Sequence, residues 1–122
     1  KGLKEKNNVD DLTKKNIVKL CIVMMLIDKD VDDLEVLEIY NIIEELNVDL
    51  TDNKLSEFIT AISSDMFEKS SDYMINQLSS KIDEMDDQLT ALRYIKKIMN
   101  ADGLNENSEK EMILKLKNIW DL

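Results

Sequence analysis

Leu20-Cys21-Ile22-Val23-Met24-Met25-Leu26-Ile27-Asp28 and Tyr94-Ile95-Lys96-Lys97-Ile98-Met99-Asn100-Ala101-Asp102 each close an apolar run on an aspartate, 74 residues apart. A glutamate follows seven positions after each aspartate, Glu35 and Glu109, again 74 apart. Apolar positions keep the same offset: Leu20 with Tyr94, Met24 with Ile98, Met25 with Met99, Ile39 with Ile113, Ile42 with Leu116 and Leu46 with Trp120. Two helix–acidic turn–helix units in one register predict an internal repeat and an all-α fold.

The rest of the chain agrees. It has 122 residues, 43% hydrophobic and 34% charged, which predicts a single globular domain with its own core. Proline is absent, and the only glycines are Gly2 and Gly103. A chain so poor in breakers favours long helices over strands and tight hairpins.

Working outward, residues 1–8 are polar and predict a flexible N-terminal segment, with residues 9–122 forming the domain. A first helix is expected from about residues 9–11 to Ile27. Its run Ile17–Ile27, interrupted by Lys19 alone, suits the central, almost wholly buried helix of a bundle. That run is too short to cross a bilayer, which needs roughly 20 apolar residues. A second helix is expected from Asp33 to Leu46, with Val36, Ile39, Tyr40, Ile43 and Leu46 facing inward. Thr51 or Asp52 caps a third helix bearing Leu55, Phe58, Ile59, Ile62 and Met66. Ser70–Asp72 opens a fourth, with Met74, Leu78, Ile82 and Met85 on one face. Asp86 or Asp87 caps a fifth, with Leu89, Leu92, Ile95 and Met99. A sixth presents Met112, Leu116, Ile119 and Trp120. The fold class is therefore a compact all-α bundle of about six helices, built around two pseudo-repeated hairpins.

The formal net charge is −10. Residues 28–52 carry ten acids against one lysine, a net −9, whereas residues 1–19 carry six lysines against three acids. Such a field repels nucleic acid and anionic lipid and attracts cations or a basic protein partner. Cys21, the sole cysteine, excludes an intramolecular disulfide and reads as a small buried hydrophobe, which suits cytoplasmic surroundings. No signal peptide is evident, and a start at Lys1 rather than methionine predicts a trimmed N-terminus. The methionines read as core filler.

Two chemistries compete for the acidic turns. Helix capping explains much of the first: with Asp32 as N-cap, Glu35 stands at the third helical position and completes a capping box. In the second turn the better box is Ser108 with Glu111, which leaves Glu109 at the first helical position and without a capping role. An aspartate at the end of the preceding helix, Asp28 or Asp102, also faces the negative end of that helix dipole and calls for compensation. A divalent cation would supply it. Asp28, Asp30 or Asp32, and Glu35 offer the oxygen ligands that Ca²⁺ or Mg²⁺ prefers. An EF-hand is excluded, because Asp33 stands where its loop needs glycine and Ile39 where it needs a bidentate glutamate. With no histidine and no glycine-rich loop, catalysis and phosphate cradling are not expected.

The stretch Asn100-Ala101-Asp102-Gly103, followed by Glu109 and preceded by the helix of residues 91–99, resembles the repeated signature of TerB-like domains, named for a bacterial tellurite-resistance protein. The likeness covers nearly the whole chain. It implies a compact helical domain with a pseudo-symmetric pair of hairpins. It also implies Asp28, Glu35, Asp102 and Glu109 as the working acids, with metal binding rather than catalysis. Such domains are associated with tellurite and stress resistance, and some are fused to other modules, including membrane-anchored DnaJ-type co-chaperones. Two positions depart from the pattern: Lys29 replaces the glycine of the first turn, and Asn105 takes the apolar place held by Val31. The sequence thus supports a non-enzymatic accessory domain that binds a cation at Asp28, Asp32, Glu35, Asp102 and Glu109. Its rival is an acidic protein-interaction module that uses no metal.

Overall fold

The computed structural model describes the backbone of residues 2–27, 33–101 and 106–122, and the side chains of residues 11–27, 33–101 and 110–122. Among the described residues there are six helices and no strand: α1 (Gly2–Ile27), α2 (Asp33–Leu46), α3 (Asp52–Glu68), α4 (Ser71–Ser79), α5 (Met85–Asn100) and α6 (Glu106–Trp120). None is long and apolar enough to cross a membrane.

α1 is the axis of the bundle. It packs against α2, α3, α4 and α5, so a narrow apolar stripe would not suffice. Ile17, Val18, Leu20, Cys21, Ile22, Val23, Met24 and Met25 are all buried, and Lys19 alone in this stretch reaches outward. α1 begins at Gly2 rather than near residues 9–11, because residues 3–8 contain no breaker to stop it.

The repeat is visible in the burial. Leu20 and Tyr94, Met24 and Ile98, Met25 and Met99, Ile39 and Ile113, and Ile42 and Leu116 are buried pair by pair. Leu46 and Trp120 are both half-buried, and each is the last residue of its helix. α2 keeps the expected bounds. Its partner α6 starts at Glu106, so Ser108 lies inside the first turn and is not a cap, and Glu109 is the fourth helical residue rather than the first.

The middle helices are set by their caps. Thr51 Oγ1 accepts from the Lys54 amide at 3.2 Å, and Ser70 Oγ accepts from the Tyr73 amide at 3.1 Å. Each thereby satisfies an orphan donor of the first turn. The α4–α5 boundary differs from the periodic reading. Ile82 lies in the connection, not on α4, and is buried there, while Met85 opens α5 and is exposed. The N-cap of α5 is Glu84, which makes no side-chain capping bond; Asp86 and Asp87 sit in the first turn, where they complement the helix dipole. The buried Gln88 side chain holds the connection by donating from Nε2 to the Ile82 carbonyl at 2.9 Å. Leu89 and Ile119, expected inside, face solvent.

α6 is fastened to α4. Trp120 Nε1 donates to the Ser79 carbonyl at 2.9 Å, and Lys115 pairs with Asp72. α2 rests on α1 and α5, with Glu45 and Lys97 forming a 3.5 Å ion pair at the α2–α5 seam.

Candidate functional site: the first hairpin and its outer face

α2 starts with two acids in its first turn, Asp33 and Glu35, where the helix dipole favours negative charge. Asp33 points to solvent. Glu35 occupies the third helical position, as the capping box requires, and is buried at 3% exposure. Among the described residues no buried side-chain polar atom lacks a hydrogen-bond partner.

Of the other residues expected to ligate a cation, Asp28, Asp30, Asp32 and Asp102 lie outside the described residues, and so does the side chain of Glu109. Gly103 lies outside them too. Among the described residues no group of three or more His, Cys, Asp or Glu side chains is placed to hold a metal ion.

The described part of the acidic segment is a surface rather than a cleft. Asp33, Glu44, Glu45, Asp49 and Asp52 are exposed. Among the described residues, only Glu45 of these five has a cationic partner, Lys97. Leu34, Leu37 and Tyr40 run along the same side of α2, exposed at 52%, 57% and 43%. At 100° per residue they fall about opposite Ile39, Ile42 and Leu46, which face the interior. Tyr40 therefore does not belong to the inward stripe. The outward leucines were open to the same periodicity argument: once 39, 42 and 46 define the core side, 34 and 37 must point away.

A second feature lies between α1, α3 and α4. Lys19 stands over the Phe58 ring, its Nζ 4.7 Å from the centroid. Burial, then Lys81 and Lys15, holds its ammonium below the usual lysine range. It borders a groove of about 370 Å³ between α1, α3 and α4, floored by Phe58, Ile62, Met74 and Leu78. Glu57, Asp65 and Lys81 also line it, so its charge is mixed. Cys21 is fully buried, and desolvation pushes its thiol far above the ordinary range, which keeps it unreactive in the folded chain.

Fold and surface together define an all-α helical bundle whose helix α2 carries exposed acids beside exposed apolar residues. No family model, curated protein or solved structure matches the chain.

Proposed function

We propose that this chain is a non-enzymatic accessory domain that acts by binding, with the acidic first hairpin as its working surface and a basic protein as its partner. One observation carries the reading: residues 28–52 hold a net −9, and the described acids outside the core stand on the outer part of α2, the connection after it and the start of α3. Such a field draws in cationic partners and disfavours nucleic acid. The absence of histidine and the burial of the sole cysteine leave little for acid–base or nucleophilic chemistry. The TerB-like resemblance supports an accessory role in a tellurite- or stress-response assembly, and the single buried cysteine fits a cytoplasmic setting.

The test is a titration of isotope-labelled protein with a lysine-rich peptide, free of divalent ions. Shifts should concentrate on residues 33–52, weaken steeply as salt rises, and disappear in Glu44→Lys/Asp49→Lys. Binding indifferent to both salt and charge reversal would reject the proposal.

A second reading keeps the cation. Glu35, at the mouth of the first acidic turn, is buried, and the helices flanking both turns share one register. Ca²⁺ or Mg²⁺ would then join Asp28, Asp32 and Glu35 in one turn and Asp102 and Glu109 in the other. Millimolar Ca²⁺ or Mg²⁺ should shift residues beside each turn in wild-type protein but not in Asp28→Ala or Asp102→Ala. Absence of site-specific shifts removes the cation.

A further inference from the structure

We propose that Leu34, Leu37 and Tyr40 on the outer face of α2 form a seam that docks a basic amphipathic helix of a partner protein. The inference rests on the reading of the acidic hairpin as a binding surface and specifies what that surface takes. Leu34 and Leu37 are more than half exposed on the side of α2 away from the core, so the packing of this fold does not explain them.

The repeat supplies an internal control. The positions 74 residues later on α6 are Ser108, Glu111 and Leu114. A helix in the equivalent register therefore folds with polar residues where α2 carries both leucines.

The shape and charge name the occupant. Leu34, Leu37 and Tyr40 at i, i+3 and i+6 step about 60° round α2 at each interval and make an oblique row along its outer side, a row that one crossing helix can cover. Asp33 stands at one end, and Glu44 at the other. A partner helix with apolar residues at matching spacing and Lys or Arg on its flanks satisfies both features. A second copy of α2 would set acid against acid across the same seam.

The experiment uses two probes of equal length, about four turns, and equal charge: a Leu/Lys amphipathic helix and a Lys/Gln peptide. The protein is compared with Leu34→Ser/Leu37→Glu, which installs the residues that α6 carries. The Leu/Lys probe should bind wild-type protein about tenfold or more tightly than the Lys/Gln probe, with amide shifts centred on 34, 37 and 40. The double variant should lose that excess, keep its melting temperature and bind the Lys/Gln probe at least as tightly as wild-type protein does, since Leu37→Glu adds an acid. Equal affinity for the two probes overturns the seam while leaving the charge-based reading intact, as does an excess that survives the double variant or shifts centred elsewhere. Failure of both probes to bind at low salt rejects the acidic surface itself. Self-association of the protein alone, abolished by the double variant, would give the seam to a second copy and overturn the proposal.

Discussion

Asn47 and Asp121, 74 residues apart, close α2 and α6 in the same left-handed conformation, with φ of 54° and 57°. The Asn47 amide donates to the Glu44 carbonyl at 3.1 Å and the Val48 amide to the Ile43 carbonyl at 3.3 Å; the Asp121 amide donates to Asn118 at 3.3 Å and the Leu122 amide to Lys117 at 2.8 Å. This is the paired closure of a Schellman motif, made twice. Asn and Asp enter the left-handed region more readily than other residues that carry a Cβ. The repeat therefore extends beyond the apolar register to the way each hairpin ends.

The Asn47 conformation predicts opposite effects of two substitutions. Asn47→Gly should leave stability unchanged or raise it by up to about 1 kcal/mol, because glycine adopts this φ freely. Asn47→Val should lower it by about 1–2 kcal/mol, since a β-branched residue is strained there. Urea denaturation of the two variants reads both, and equal stabilities would mean that the closure does not limit α2.

The Trp120–Ser79 hydrogen bond predicts that Trp120→Phe costs about 1 kcal/mol, since a partly buried carbonyl loses its donor while most of the apolar contact survives. Lys97→Met, which breaks the exposed pair with Glu45, should change stability by less than about 0.5 kcal/mol. Thermal melts of both should fall in that order.

Gln88→Leu conserves bulk but removes the donor to the Ile82 carbonyl inside the bundle. The expected loss is about 1–3 kcal/mol, the desolvation cost of an orphaned buried acceptor. Amide exchange in the α4–α5 connection should accelerate with it; a silent substitution would show that this bond does not hold the connection.

Cys21 predicts a pH dependence. Its thiol, fully buried, stays protonated above its ordinary value of 9.0, while the unfolded chain releases that proton. The unfolded state then binds fewer protons, so the contribution is intact below about pH 9 and falls at about 1.4 kcal/mol per pH unit above it. Chemical denaturation at pH 8 to about 10.5 should show this slope for wild-type protein and a shallower one for Cys21→Ala. Thiol reagents should label Cys21 at the rate of global or sub-global opening.

Much of the architecture was legible because helices announce themselves twice, by period and by cap. Ile39, Ile42, Leu55, Ile62, Met74, Leu78, Leu92 and Ile95 all lie inside, and Thr51 and Ser70 cap as their residue types suggest. The α4–α5 boundary was illegible for a physical reason. No glycine or proline marks it, and Ile82 continues the helical spacing of Met74 and Leu78 although a loop carries it inward. The start of α1 was missed because polar helix formers and a polar loop look alike. At the site, the place of Glu35 as third residue of α2 was readable, but capping and ligation draw on the same carboxylates at the same spacings. Composition alone cannot separate them.

The clasp of Trp120 on Ser79 divides labour between the twin hairpins. The second is bolted to its neighbour by its terminal indole and serves as a buttress. The first, matched to it in register and in its stop, carries no such bolt at Leu46 and turns a bare shoulder outward. Twofold likeness within one chain has thus produced unlike halves: one spends its contacts on holding the molecule together, and the other keeps a side in reserve.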